Sequence, residues 1–160
     1  RQIDGAINVD ISGNVDEIFD LSHLPWKWQN ETVDVIIMEH FLEHMKDMVG
    51  TIKECHRILK PGGELIITVP HSSSVIGNGC IGHYHTFSYN TLKDYLSRDF
   101  YLFGHKMFET VHQRIVWQPH YEWIPIQWLI DLSPRAFERF WCYWVGGACE
   151  VRWTGLKVTI

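Results

Sequence analysis

Two runs of apolar, largely β-branched residues stand on either side of one amphipathic helix, and no other feature restricts the fold as much. Residues 33–38 (Val-Asp-Val-Ile-Ile-Met) and 65–70 (Leu-Ile-Ile-Thr-Val-Pro) are nearly continuous in apolar side chains, the pattern of strands buried on both faces. Between them, over about residues 46–60, Met48, Val49, Ile52, Cys55 and Leu59 recur at three- and four-residue spacing and form one apolar face. Pro61-Gly62-Gly63 stops that helix, because proline cannot extend it and glycine accepts the turn. Strand, helix and strand in this order predict a right-handed parallel crossover.

Two shorter strands precede the unit, 6–10 ending in Asp10 and 15–21 closing on Asp20 and Leu21. Between them and the first long run, residues 25–32 read as a polar loop anchored by Trp26 and Trp28. Strands before and helix after predict an α/β parallel sheet. Further on, 71–87 reads as a Ser/Gly/His-rich loop, with Ser88 as N-cap of a helix bearing Leu92, Tyr95 and Leu96. Residues 100–116 read as strand, and 119–147 as a helical insertion in which Phe137, Phe140, Trp141 and Trp144 share an aromatic face. The end alternates Val151, Trp153, then Leu156, Val158, Ile160. That slip of phase at Gly155 predicts a bulge there.

Composition bounds the function. With 160 residues, 46% apolar and 21% charged, the chain reads as one globular domain, 1–160, with a sizeable core. The net charge of −5 argues against nucleic acid, whose phosphates need a basic stripe. The acid is concentrated in residues 1–40, which hold eight Asp and Glu against Arg1 and Lys27, so a cationic ligand is expected there. Cys55, Cys80, Cys142 and Cys149 form no CxxC pair and read as reduced cytoplasmic thiols. The stretch 123–147 carries Asp131, Arg135, Glu138 and Arg139, too many charges for a membrane span.

Three motifs compete for the chemistry. Residues 77–82 spell GxGxxG, but a dinucleotide loop sits directly between strand and helix, and these glycines stand seven residues beyond Pro70. A flexible loop is expected instead. Residues 40–44 (His-Phe-Leu-Glu-His) spell HxxEH, an inverted zinc-protease motif, here directly after a buried strand and with no third ligand in view. The third pattern is positional: Asp10, Asp20 and Glu39 each close a strand, and open α/β sheets bind ligands at the carboxyl ends of their strands. One such carboxylate can accept both hydroxyls of a ribose, and its neighbour an adenine amino group.

The segment 33–70, "VDVIIMEHFLEHMKDMVGTIKECHRILKPGGELIITVP", closely resembles class I S-adenosylmethionine-dependent methyltransferases. The "LEH" after its first strand, the "E..RILKPGG.L...VP" block and the later "HYHTF" carry the resemblance, which covers about residues 5–100. It implies a Rossmann-like sheet of strand order 3-2-1-4-5-7-6 with an antiparallel last strand. It implies S-adenosylmethionine as cofactor, with Asp10 and Ile11 at the ribose, Asp20 and Leu21 at the adenine and Glu39 near the methionine part. It also implies that the first strand and glycine-rich loop belong before residue 5, so the chain is expected to be N-terminally truncated. Open sheet edges then invite a homodimer.

The resemblance further implies methyl transfer to a small-molecule, sugar or lipid-linked acceptor, with bases drawn from His44, His71, His83 and His85. Ubiquinone-pathway and small-RNA methyltransferases of this class carry an ExxEH motif that can hold a divalent metal. The matching positions here are His40, Glu43 and His44, with His83 downstream, and His40 in place of the first Glu favours zinc over magnesium. The insertion 119–147 is expected to act as a substrate lid, with Trp123 and Trp128 nearest the acceptor. The competing reading is a non-catalytic interaction module of the same fold.

Overall fold

A computed structural model describes residues 5–98, 100–118, 125–144 and 147–159. Its sheet follows the expected order. Strands β3 (Val33–Glu39), β4 (Leu59–Pro70), β5 (Phe108–Val116) and β6 (Glu150–Lys157) assemble as β3-β4-β6-β5. β3 and β4 are parallel, and β6 runs antiparallel to both β4 and β5. This is the 4-5-7-6 half of the implied order, three strands one way and the last reversed. β1 (Val9–Asp10) and β2 (Glu17–Ile18) form a separate parallel pair. Among the described residues no ladder joins that pair to β3.

Helix α1 (Met48–Ile58) is shorter than its apolar spacing suggested. Asp47 caps it, its carboxylate accepting from the Gly50 N–H at 2.8 Å. Thr51, Ile52, Cys55 and Ile58 are buried on its sheet side. Leu59 is already extended, since the residue before a proline avoids helix and Lys60 precedes Pro61. β4 therefore starts at Leu59 rather than at residue 65. Residues 60–63 bulge out between the Val33–Leu59 and Val35–Glu64 pairs. Gly62, at φ +72°, supplies the left-handed turn that a side chain resists.

Three other expectations change. β3 is not buried on both faces: Val35 and Ile37 are 45% and 40% exposed on one face, while Ile36 and Met38 turn to the core on the other. The segment 100–116 is not all strand, since α4 (Phe100–Phe103) precedes β5. The bulge lies in β5 rather than at Gly155. Thr110 pairs with Gly155 and His112 with Thr154, leaving Val111 extra. In β6 the buried side runs unbroken through Val151, Trp153, Gly155 and Lys157. Gly155 continues the inward row because the Trp153 ring lies over it, 2.3 Å from where a Cβ would stand. The Lys157 ammonium donates to the Leu59 carbonyl at 2.8 Å, which satisfies a buried cation.

The expected loop 71–87 contains a short helix, α2 (Val75–Gly79), capped by Ser74. α3 (Thr91–Ser97) starts after Asn90, not at Ser88. The Ser88 N–H instead donates to the Thr91 hydroxyl at 2.9 Å. The principal core packs α1 and α3 against β4 and β6 around Ile52, Leu65, Ile67, Leu92 and Trp153. Trp26 belongs to it and holds the 25–32 loop by donating Nε1–H to the Leu21 carbonyl at 2.9 Å. A second cluster, Ile115, Ile130, Phe137, Cys142 and Ala148, underlies the insertion. That insertion comprises α5 (Pro125–Leu132), α6 (Pro134–Ala136) and a π-helical turn, Phe137–Trp141.

Candidate active site at the carboxyl ends of the strands

β1 and β2 run side by side, with Asp10 opposite Ile18. Parallel pairing therefore brings Asp10 and Asp20 to the same end of adjacent strands. Asp10 Oδ1 accepts from the Ile11 N–H at 2.6 Å, which shapes the turn after the strand. Asp20 accepts from the Ser22 N–H at 2.9 Å and lies 3.0 Å from His23 Nδ1. These bonds, Ser22 foremost, hold the Asp20 carboxyl below its ordinary value. Ile11 is exposed, and Leu21 packs at the edge of the main core. Glu39 is exposed at the end of β3, in the other sheet from the two aspartates.

The turn after β3 is built by one unusual residue. His40 has φ +50°, a left-handed conformation that few non-glycine residues adopt and that often marks working sites. It swings the chain into a 3₁₀ turn, Leu42–His44, with Leu42 and Glu43 buried. The His40 ring is turned to Glu150, Nε2 to Oε1 at 3.2 Å, and faces Glu43 at 3.5 Å. Glu150 first and Glu43 second raise His40 to about 10. His40 is thus an ion-pair partner, and the structure removes it from the ligand set that the motif suggested.

Glu43 is 1% exposed, and neither of its carboxylate oxygens makes a hydrogen bond. Its cationic neighbour is His40, whose Nδ1 stands 3.5 Å from Oε1, and a buried carboxylate is costly without such a cation. Beside Glu43 stand His44 and His83, and one ligand atom from each of the three lies within 4.8 Å of the others. The two imidazoles meet edge to face with centroids 4.7 Å apart. Each is oriented from behind. His44 Nδ1 lies 3.1 Å from the Gly82 carbonyl and His83 Nδ1 3.3 Å from the Gly77 carbonyl. A carbonyl only accepts, so each Nδ1 carries the proton and each Nε2 keeps a lone pair.

The loop that brings His83 is stitched to the Leu42–His44 turn. The Tyr84 N–H donates to the Glu43 carbonyl at 2.8 Å, and His85 Nε2 donates to the Met45 carbonyl at 2.9 Å. His85 is therefore a strut in this structure, whereas His44 and His83 face one another.

His71 sits elsewhere. It is fully buried after β4, with Nε2 2.9 Å from Glu138 Oε1 and Nδ1 2.7 Å from the Ser73 hydroxyl. Burial pulls its imidazole down, while Cys142 and Glu138 push it up. Its ring is fully buried with both nitrogens engaged, Nδ1 also accepting from the Ser73 N–H at 3.0 Å, and it is not among the groups that face His44 and His83. Its geometry instead ties the insertion to the end of β4. Trp128 is 63% exposed on α5, while Trp123 and Tyr121 lie outside the described residues. The spacing of Glu43, His44 and His83 was legible in the sequence. The anchoring role of Glu138 was not, since no motif marks it.

Comparison with known proteins bears on the fold. Residues 8–67 match a family model described as a methyltransferase domain. No curated protein matches the sequence significantly. Among solved structures, a SAM-dependent methyltransferase from Archaeoglobus fulgidus is 17% identical, with a TM-score of 0.59, over 93% of this chain and 74% of that one. The 1,6-didemethyltoxoflavin-N1-methyltransferase of Burkholderia thailandensis, solved with its substrate and S-adenosylhomocysteine, is 15% identical at a TM-score of 0.57, over 94% of this chain and 60% of that one. The [4+2]-cyclase SpnF is 17% identical at 0.55, over 90% of this chain and 56% of that one. The chain thus spans about three-fifths of the length of the latter two.

Proposed function

We propose that this chain, whose fold is that of the class I S-adenosylmethionine-dependent methyltransferases, binds S-adenosylmethionine and passes its methyl group to a small-molecule, sugar or lipid-linked acceptor. The observation that carries the reading is that acids and imidazoles follow the carboxyl ends of parallel strands. Asp10 closes β1 and Asp20 lies two residues beyond β2. In the other sheet Glu39 closes β3, and His44 and His83 come after β3 and β4.

The donor set suits the cofactor. Asp10 offers a carboxylate to the two ribose hydroxyls, with the Ile11 backbone beside it. Asp20 would accept from the adenine amino group next to Leu21, and Glu39 would offer its carboxylate to the methionine ammonium. When bound, the cofactor supplies an electrophilic sulfonium methyl. The chain supplies proximity and alignment, and a base. His44 Nε2 takes the proton that leaves the acceptor, its ring held by the Gly82 carbonyl. An apolar groove of about 510 Å³, lined by Trp117, Leu129 and Phe137 among others, gives the insertion a surface for the acceptor, in keeping with a lid.

A divalent cation at Glu43, His44 and His83 is the alternative to the base role of His44, since it would take the same Nε2 lone pair. What favours it is the buried Glu43 carboxylate without a hydrogen bond, beside two imidazoles whose Nδ1–H groups are each held by a carbonyl. Metal-ligating histidines are commonly oriented that way. When bound, the cation would polarise an acceptor oxygen.

Fold alone does not set the chemistry, as the cyclase among the neighbours illustrates. The test is a thermal melt with S-adenosylmethionine. A rise in melting temperature that grows with ligand concentration supports the reading. No shift, together with no binding by calorimetry, favours a non-catalytic interaction module.

A further inference from the structure

The insertion packs Ile130 and Phe137 onto the second cluster and leaves a further apolar stripe uncovered. On α5 the polar stripe faces the sheet: Gln127, 1% exposed, donates to the Ile115 carbonyl at 2.8 Å and accepts from the Trp117 N–H at 3.0 Å. One turn on, Asp131 pairs with Arg114 at 2.8 Å. The opposite stripe carries Trp128, Leu129 and Leu132, which are 57–65% exposed. The following turns repeat the arrangement. Glu138 points in to His71 at 2.9 Å, while Phe140, Trp141 and Trp144 stand out in solvent, Trp144 at 86%. An exposed apolar patch of this kind marks an interaction site.

The charges around the patch say what covers it. Both acids of residues 125–144 are neutralised by the pairs just described. Arg135 and Arg139 are exposed, and no ion pair joins either to a carboxylate among the described residues. The two line a recess of about 530 Å³ with Ser88, Asn90, Tyr143 and the His71-paired Glu138. The outer face therefore presents tryptophan, tyrosine and leucine with arginine and no free acid, although the chain as a whole carries −5. Aromatic rings that straddle a polar boundary, with arginines able to grip phosphate, are the composition of a surface that lies in a lipid headgroup layer.

We propose that the outer face of residues 126–144 docks on an anionic phospholipid surface, with its aromatic and leucine side chains in the headgroup layer and Arg135 and Arg139 on lipid phosphate. The docking is peripheral, and no helix among the described residues is long and apolar enough to cross a membrane. The proposal does not depend on methyl transfer.

The test uses the intact chain and phosphatidylcholine vesicles with and without phosphatidylglycerol. Binding is read by co-sedimentation and by quenching of tryptophan emission with brominated lipid. The expected result is strong co-sedimentation and quenching on the anionic vesicles, weakened by salt. Arg135→Gln with Arg139→Gln should lower anionic-vesicle partitioning roughly thirtyfold, about 1 kcal/mol for each arginine. Phe140→Ser with Trp144→Ser should weaken binding to both vesicle types at an unchanged melting temperature. Absence of sedimentation and quenching in the unaltered chain overturns the proposal without recourse to any variant. Binding that both pairs of substitutions leave intact also overturns it. So does a dimer by light scattering that Phe140→Ser with Trp144→Ser dissolves while vesicles are ignored, which would assign the face to a second copy.

Discussion

His71 donates its Nε2–H to Glu138 across 2.9 Å and so joins the end of β4 to a helical turn 67 residues later. The same carboxylate accepts from the Tyr89 N–H at 2.6 Å. One side chain thereby holds together the strand end, the loop before α3 and the insertion. Burial pushes Glu138 up, but His71 and then the Tyr89 N–H outweigh it, and its carboxyl titrates below the usual 4.5. A depressed carboxyl contributes stability that is present above its unfolded value and is lost as pH falls through the folded one. We therefore expect the melting temperature to hold above about pH 5 and to fall in the acid limb, by up to about 1.4 kcal/mol per pH unit. In Glu138→Gln that limb should be shallower and the neutral-pH stability lower. An acid limb of unchanged slope in the variant would remove Glu138 from this role.

Asp10 is the most informative cofactor position. Asp10→Ala should weaken S-adenosylhomocysteine binding by about 1.5–3 kcal/mol, the cost of losing hydrogen bonds to a charged acceptor. Calorimetry on the variant and on Asp20→Ala measures it directly. Unchanged affinity in both would mean that the paired carboxylates only shape their turns.

Glu43 makes a prediction of a different kind. In the unaltered protein, stepwise addition of zinc should raise the melting temperature, since a ligand of the native state alone stabilises it. Glu43→Gln should abolish that rise and, by removing the carboxylate that His40 faces at 3.5 Å, lower the metal-free melt as well. A zinc response that survives in the variant places the metal elsewhere.

Trp128 and Phe137 are both aromatic residues of the insertion but have opposite surroundings, 63% and 8% exposed. Phe137→Ala should cost about 3–5 kcal/mol by denaturant unfolding, as a truncation in the second core. Trp128→Ala should stay within about 0.5 kcal/mol, and an acceptor assay should then show a changed KM if the insertion is a lid. A large loss of stability at Trp128 would return it to the core.

The order of elements and the parallel crossover of β3, α1 and β4 could be read from the chain alone, because apolar periodicity records which face of each element meets the core. Asp10, Asp20, Glu39 and the Leu42–His44 turn could be read for the same local reason: each closes a strand or follows one directly. Element ends were less legible. Lys60 before Pro61 stopped α1 early, and the register of β5 against β6 moved the bulge from Gly155 to Val111. What tertiary structure alone decided was partnership over long separations. Only the folded chain gave His40 to Glu150, 110 residues away, left Glu43 buried without a hydrogen bond, and turned Gln127 and Glu138 inward while Trp128 and Trp144 faced out. A linear pattern shows that a helix has two faces, but which one meets the protein depends on the groups that wait there. Here the Ile115 carbonyl, Arg114 and His71 were polar and demanded polar partners.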